Sequence, residues 1–186
     1  MEAAGGRYGK HTGQVRVGCE AASAQSRLTN EPMTFTSEQT LVDTFVGLLE
    51  TNRSPWGEVR LAREFDYSRG RTDVVAVADA DTLIAVEAKL TDWKYALHQA
   101  YRNTCFAHRS FVLLPKEAAI AAGVFLVEFE RRGVGLCYID SAANLVVPCD
   151  SPRASPVEPW LASEAISRVR RLSDATCQPL PTPWNQ

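Results

Sequence analysis

Two apolar runs separated by a short acidic turn impose the strongest constraint on how this sequence folds. In the stretch GRTDVVAVADADTLIAVEAKL, residues 70–90, the runs at 72–78 and 83–90 flank a turn at 79–81. Both runs are rich in β-branched and aliphatic residues and are bounded by turn-forming residues, which is typical of buried strands. The stretch therefore predicts a β-hairpin that lies in the core.

Three charged residues interrupt this otherwise apolar hairpin. If the turn is centred on Ala80, residues equidistant from it face each other, so Asp73 lies opposite Glu87. Side chains alternate along a strand, so Glu87 and Lys89 share one face while Ala88 points to the other. The hairpin thus predicts that Asp73, Glu87 and Lys89 converge.

Asp73 and Glu87, placed opposite each other, form a pair of carboxylates that repel unless a cation lies between them. Mg²⁺ prefers hard oxygen ligands and leaves positions for water and a substrate phosphate. A neighbouring lysine can hold or deprotonate the attacking water, or neutralise charge on phosphate. We interpret the three residues as a Mg²⁺ or Mn²⁺ site. The alternative is a surface hairpin whose charges form salt bridges.

Helical and extended patterns surround the hairpin. They predict helices at residues 38–52, 93–108, 116–132 and 158–172, and strands at 59–67, 72–78, 83–90, 111–114, 135–140 and 145–148. Ser37 is a good N-cap for the first helix, and Thr91 or Asp92 for the second. The order helix, three strands, helix, strand predicts an α/β (α+β layered) domain with a central mixed sheet, flanking helices and C-terminal additions.

The length of 186 residues allows one compact core with room for tails. Residues 1–32 are poor in large apolar side chains, so we predict a disordered extension there. Residues 33–150 form the predicted domain, and residues 151–186 a C-terminal helix with a proline-rich tail. Met33 directly precedes the first structured pattern and is a candidate for the natural start.

Composition narrows the possible functions. No apolar run is long enough to cross a bilayer and no secretory signal opens the sequence, so we expect a cytoplasmic protein without a membrane span. The five cysteines and three histidines have no zinc-site or redox spacing, and we interpret the cysteines as reduced thiols. No G-x-S-x-G or Walker loop is present. Because the net charge is −2, any binding to nucleic acid must come from a local positively charged patch.

The D-x(n)-E-x-K pattern on adjacent strands, between a helix with an acid and a helix with a glutamine, resembles the PD-(D/E)XK nuclease superfamily. The restriction endonuclease-like core of that superfamily, with the order αβββαβ, is matched by residues 37–115. The resemblance implies that Asp73 and Glu87 are metal ligands, that the backbone carbonyl of Ala88 is a third ligand, and that Lys89 activates water.

Two accessory residues also resemble elements of this superfamily. Glu38 matches the acid often found in the first helix, and Gln99 with Tyr101 resembles the Q-x-x-x-Y-like element of the next one. Glu38 is therefore a candidate metal ligand, and it is equally explained as an acid that suits the dipole of a first helical turn. Gln99 shares a helical stripe with Arg102, and its alternative is a solvated glutamine. The wider pattern over 70–115 also resembles a group of uncharacterised bacterial proteins with this predicted fold.

Arginines near the hairpin are candidate phosphate contacts. Arg69 and Arg71 flank Asp73, and Arg102 lies on the helix that follows the hairpin. The alternative is that the arginines of the first strand and its turn pair with nearby acids, namely Glu58, Glu64 and Asp66. We interpret the arginines of the last helix, residues 168, 170 and 171, as a solvated face.

Together these features predict metal-dependent hydrolysis of phosphodiester bonds in nucleic acid, with DNA as the expected substrate. The alternative is an inactive module with the nuclease fold, which binds nucleic acid or a protein partner in regulation or defence. The acidic balance of the chain favours that alternative, whereas the intact charged triplet favours the enzyme. By family resemblance, cleavage of both strands of a duplex points to a homodimer.

Overall fold

The computed structural model describes residues 33–176, which form a mixed six-stranded sheet with helices on both faces. The strands are β1 (Arg60–Tyr67), β2 (Gly70–Ala78), β3 (Thr82–Ala88), β4 (Arg109–Pro115), β5 (Val134–Ile139) and β6 (Leu145–Cys149). The helices are α1 (Glu38–Glu50), α2 (Trp93–Asn103), α3 (Lys116–Gly123), α4 (Leu126–Arg132) and α5 (Pro159–Thr176). The predicted α/β class and its αβββαβ order are confirmed.

Strand order in the sheet follows chain order from β1 to β6. The pairs β1–β2, β2–β3 and β5–β6 are antiparallel, whereas β3–β4 and β4–β5 are parallel. Parallel neighbours need a crossover, which α2 supplies before β4 and which α3 and α4 supply before β5. The hairpin of β2 and β3 therefore lies beside the parallel centre of the sheet.

The hairpin register agrees with the sequence prediction. A 3₁₀ turn at Asp79–Asp81 joins the strands, and Val74 pairs with Val86. The paired register ends at Val74 and Val86, and Asp73 and Glu87 are the next residues beyond that pair.

Neighbouring residues of β2 contribute to cores on opposite faces of the sheet. Val74 belongs to the core under α1, whereas Val75 belongs to the core under α5. A third group packs α2 against β4 through small and aliphatic side chains, namely Ala96, Leu97, Ala100, Val112 and Leu114. Side-chain alternation along the strands produces these layers.

Side chains cap the N-termini of the two helices nearest the hairpin. Ser37 Oγ accepts a hydrogen bond from the Thr40 backbone N–H at 3.1 Å, and Thr40 Oγ1 accepts one from the Ser37 backbone N–H at 3.2 Å. Asp92 Oδ1 accepts a hydrogen bond from the Tyr95 N–H at 3.0 Å. These caps satisfy backbone donors that have no partner within the helix. Glu38 is thereby fixed in the first turn of α1.

The second helix is shorter than the predicted range of 93–108. It ends at Asn103, and a tight turn follows in which Thr104 N–H donates to Tyr101 O at 3.2 Å and Phe106 N–H donates to Asn103 O at 3.1 Å. Phe106 is fully buried in the core under α5. Because that burial requires the chain to leave the helix axis, the periodicity of residues 93–108 overestimates the helix.

The predicted helix at 116–132 is two helices. Gly123 ends α3, Phe125 N–H donates to Ala122 O at 2.8 Å, and α4 begins at Leu126. Glycine has a low helix propensity, which favours the end of α3 at this position. The Phe125 ring stacks on Trp93, with ring centroids 5.1 Å apart. The break thus places an aromatic side chain against α2.

Several sequence predictions concern residues outside 33–176 or properties that the fold does not test. Residues 1–32 and 177–186 lie beyond the described part of the chain, so the extension and the proline-rich tail stay predictions. Within residues 33–176, no helix combines the length and the apolarity that a membrane span requires. The domain boundary at residue 150 and the cytoplasmic location also stay predictions.

Candidate functional site

Asp73 links the two strands of the hairpin through its side chain. Asp73 Oδ2 accepts a hydrogen bond from the Ala88 N–H at 2.8 Å. Burial raises the pKa of Asp73, although this hydrogen bond and the charge of Lys89 act in the opposite direction. Removal from water therefore outweighs the favourable contacts of the Asp73 carboxylate.

The backbone of β1 is distorted next to Asp73. Glu64, which stands between the pairs Arg63–Val74 and Phe65–Thr72, has a φ of 51°, in the left-handed region. For a residue with a side chain such a conformation costs about 1–3 kcal/mol and is concentrated at functional sites. The alternation of side chains between the two faces of the sheet is therefore interrupted in β1, beside Asp73.

Glu87 is the most deeply buried charged residue of the hairpin, with 1% of its surface exposed. Burial and the nearby carboxylate of Asp73 raise the pKa of Glu87 to about 7. Asn103 Nδ2 donates a hydrogen bond of 2.6 Å to Glu87 Oε1, which lowers the pKa and limits the shift. The acid pair predicted from the sequence is thus brought together.

A short hydrogen-bond chain holds Glu87 in place. Tyr67 Oη donates to Asn103 Oδ1 at 2.6 Å, and Asn103 in turn donates to Glu87. Because Tyr67 is a donor to Oδ1, the amide nitrogen of Asn103 must face the carboxylate. The hydroxyl of Thr72 is buried beside Glu87, and its interaction with the carboxylate also lowers the pKa of Glu87.

Asn103 and Tyr67 are site residues that sequence analysis missed. Asn103 lies four residues after Gln99, and therefore one helical turn further along the same side of α2. Gln99 Oε1 is buried and has no hydrogen-bond partner within residues 33–176. An amide one turn after the expected glutamine was the available sequence signal for Asn103.

Lys89 follows the last residue of β3 and pairs with the first helix. Lys89 Nζ lies 2.7 Å from Glu38 Oε2. Burial opposes the charged form, but the hydrogen bond and charge of Glu38 outweigh it, so the pKa of Lys89 is raised. Lys89 is therefore protonated at neutral pH. Glu38 contacts the site through its ion pair with Lys89.

The three arginines predicted to contact phosphate have partners within the protein. Arg102 Nη1 donates to the backbone carbonyl of Arg69 at 3.0 Å, and Arg69 pairs with Glu158 of the C-terminal region at 2.9 Å. Arg71 lies 3.7 Å from Glu64, one of the acids proposed as alternative partners. Arg69 and Arg71 keep more than half of their side-chain surface exposed, so these ion pairs are weak.

The donor atoms around Asp73 and Glu87 suit a hard divalent cation. Asp73 uses one carboxylate oxygen in the hydrogen bond from Ala88, and Glu87 uses one in the hydrogen bond from Asn103. Within residues 33–176, neither forms an ion pair with Lys or Arg, and no set of three His, Cys, Asp or Glu side chains is grouped to bind a metal. Mg²⁺ sites typically have one or two carboxylate ligands, and oxygens of water, backbone and phosphate complete the coordination shell.

Comparisons with known proteins identify similar folds. No protein-family model and no curated protein sequence matches the chain. A structure of a protein of unknown function from Silicibacter pomeroyi matches with a TM-score of 0.50 and 15% identity, covering 80% of this chain and 99% of that one. SfsA from Pyrococcus furiosus, solved in complex with Ca²⁺, has a TM-score of 0.39 and 12% identity, covering 63% and 65%. The Silicibacter pomeroyi match supports the α/β fold.

Proposed function

We propose that this protein hydrolyses phosphodiester bonds of nucleic acid, with DNA as its substrate, at a PD-(D/E)XK-type site. The observation that carries the proposal is the convergence of Asp73 and Glu87 at one end of a buried hairpin without a cationic partner in contact. Burial raises the pKa values of both carboxylates, and perturbed pKa values of this kind are concentrated at functional sites.

We assign a residue to each participant in the proposed reaction. Asp73, Glu87 and the Ala88 carbonyl would hold Mg²⁺ or Mn²⁺. When bound, the cation supplies Lewis-acid stabilisation of charge on the phosphate and a more acidic water. Asn103 orients Glu87 by donating a hydrogen bond to one of its carboxylate oxygens.

Lys89 has a more specific role in this proposal than water activation alone. Because its pKa is raised, it reaches the reaction as a protonated ammonium group. It can therefore donate hydrogen bonds to the attacking water or to a phosphate oxygen, and it neutralises developing negative charge. Glu38 sets the charge state and position of Lys89 and so supports the site indirectly.

A cleavage assay with several DNA forms tests the function. Purified wild type and Glu87→Gln are incubated with supercoiled plasmid, linear duplex and single-stranded DNA in Mg²⁺, Mn²⁺ or EDTA. We expect wild type to cut at least one form, EDTA to abolish the cut, and Glu87→Gln to lose about 10²-fold or more of the rate. Glu117→Gln, an exposed position in the first turn of α3, is the matched control.

The substrate panel also decides between the two candidate functions. If wild type is folded and cuts none of the DNA forms, nor an RNA of the same sequence, the enzymatic proposal is wrong. Binding without cleavage would then favour the inactive module. Cuts through both strands at one position require two sites, which a homodimer would provide; light scattering of the active protein tests for that dimer.

A further inference from the structure

A small cavity opens beside Asp73. Its volume is about 220 Å³, and residues from four elements line it, namely Gln39, Val42, Arg63, Glu64, Asp73 and Arg168. Two of these side chains are guanidinium groups, and one is the carboxylate that we propose as a cation ligand. The cavity therefore adjoins the proposed reaction site.

Arg168 reaches the cavity from the C-terminal helix α5. Arg168 Nη2 donates a hydrogen bond to the backbone carbonyl of Glu64 at 3.1 Å, the residue whose backbone is left-handed. Its Nε is buried and has no hydrogen-bond partner in the described part of the chain. Arg168 is thus partly buried against the cavity rather than on a solvated face, whereas Arg171 of the same helix is exposed.

Two acidic side chains near the cavity form ion pairs with arginines. Arg63 pairs with Asp43 of α1, and the Glu64 carboxylate lies 3.7 Å from Arg71 on the neighbouring strand. With Asp73 engaged by a divalent cation, the lining would carry a net positive charge. The planar guanidinium of arginine can donate two parallel hydrogen bonds to the oxygens of one phosphate, whereas the ammonium of lysine acts as a point charge.

We propose that this cavity binds one backbone phosphate of the nucleic-acid strand, next to the phosphate that is hydrolysed. The inference rests on the proposed function, because that function supplies both the strand and the neighbouring cation. Arg168 and Arg63 are the donors to the phosphate oxygens. The helix α5, which follows the αβββαβ core, thereby contributes to substrate binding.

Binding measured without cleavage tests the cavity. A fluorescein-labelled single-stranded 12-mer of DNA is titrated by anisotropy with wild type, Arg168→Gln, Arg63→Gln and the control Arg171→Gln, in Ca²⁺ so that a divalent cation is available to Asp73, and a gel checks that the 12-mer stays intact. We expect each cavity variant to bind about tenfold more weakly and the control to stay within about twofold of wild type. The slope of log affinity against log salt should fall by about 0.7 in the cavity variants, as for one lost phosphate contact.

A methylphosphonate scan locates the phosphate. Replacing single phosphates of the 12-mer by neutral methylphosphonate should weaken wild-type binding strongly at one position. The same replacement should cost Arg168→Gln little, because the two changes remove one interaction. Additive losses at every position would overturn the proposal.

The outcomes separate the cavity from the catalytic proposal. Wild-type cleavage with unchanged DNA binding by both folded cavity variants overturns the cavity and leaves the nuclease intact. If wild type cuts nothing but inorganic phosphate raises its melting temperature, and does not raise that of Arg168→Gln, the cavity is an anion site and the nuclease proposal fails. If Arg168→Gln unfolds, Arg63→Gln decides the question, because within residues 33–176 this arginine pairs with the exposed Asp43.

Discussion

Asn103 and Glu87 form a buried hydrogen bond of 2.6 Å between the amide nitrogen of α2 and the carboxylate of β3. Neither side chain has more than 1% of its surface exposed. Burying a carboxylate without full charge compensation is costly, and one amide donor offsets only part of that cost. The pair therefore makes the stability of the protein sensitive to pH and to added cations.

Replacing Glu87 by Gln should stabilise the cation-free protein at high pH. The folded pKa of Glu87, about 7, exceeds its ordinary value of 4.5, so its stabilising contribution is present below pH 4.5 and is lost as pH rises through 7. We expect Glu87→Gln to unfold with a free energy close to that of wild type at pH 5, and higher by on the order of 2 kcal/mol at pH 8.

Urea unfolding in EDTA at both pH values measures this difference, with Glu117→Gln as the control. Mg²⁺ at pH 8 should stabilise wild type and leave Glu87→Gln unchanged, because only the native site of wild type binds the cation. Equal stability of wild type and Glu87→Gln at both pH values would contradict the buried, raised-pKa carboxylate.

Removing the amide of Asn103 should weaken cation binding without removing a ligand. Asn103→Ala deletes the donor that lowers the pKa of Glu87, so that pKa should rise further. At pH 7 the Mn²⁺ affinity should fall by about tenfold, and the pH dependence of binding should move to higher pH. Calorimetric titration at several pH values measures both effects.

Gln99→Ala is the matched comparison for Asn103, since it removes an amide one turn earlier on α2. The structure predicts a small effect there, and Tyr67→Phe should give an effect between the two because it removes only the outer hydrogen bond. A larger loss for Gln99→Ala than for Asn103→Ala would show that the resemblance located the site amide better than the contacts do.

Replacing Glu38 by Gln distinguishes a metal ligand from a partner of Lys89. Because Glu38 contacts Lys89 Nζ, we expect Glu38→Gln to keep its Mn²⁺ affinity within about twofold of wild type. Loss of the acid should lower the pKa of Lys89, so cleavage should begin to fall at a lower pH on the alkaline side. A large loss of Mn²⁺ affinity would instead make Glu38 a ligand.

A methyl group at Gly135 should destabilise the sheet centre. A Cβ at Gly135 would overlap the ring of Phe111 and stand 2.9 Å from the Cys149 carbonyl. Overpacking of this kind costs about 1–3 kcal/mol. Gly123→Ala, at a position with open space around it, should change the urea midpoint little. Equal midpoints for the two variants would argue against the β4–β5–β6 packing.

The hairpin could be predicted because its determinants are local. The turn at Asp79–Asp81 and the apolar runs on either side specify the register, and extending that register one residue beyond the Val74–Val86 pair predicts Asp73 opposite Glu87. Pairing of β-strands with a period of two leaves few alternatives when both strands are buried. The convergence of the two acids is therefore the part of the site that local sequence contains.

The contacts between distant elements could not be predicted. Asn103 meets Glu87 only because α2 ends there and docks with that side against β3, and the sequence pattern predicted a longer helix. Arg168 contacts Glu64 across more than a hundred residues, through a backbone conformation that no residue preference indicates. Such contacts depend on how helices pack on the sheet, which periodicity alone does not determine.

Cation binding in the absence of nucleic acid tests the central claim most directly. Mn²⁺ is titrated into wild type and Asp73→Asn at pH 8, and the free Mn²⁺ is followed by electron paramagnetic resonance, with Asp66→Asn as an exposed control on β1. We predict a saturable site in wild type and in the control, and loss of that site in Asp73→Asn. Identical binding by all three proteins, or no binding by folded wild type, would contradict the proposal that Asp73 and Glu87 form a divalent-cation site.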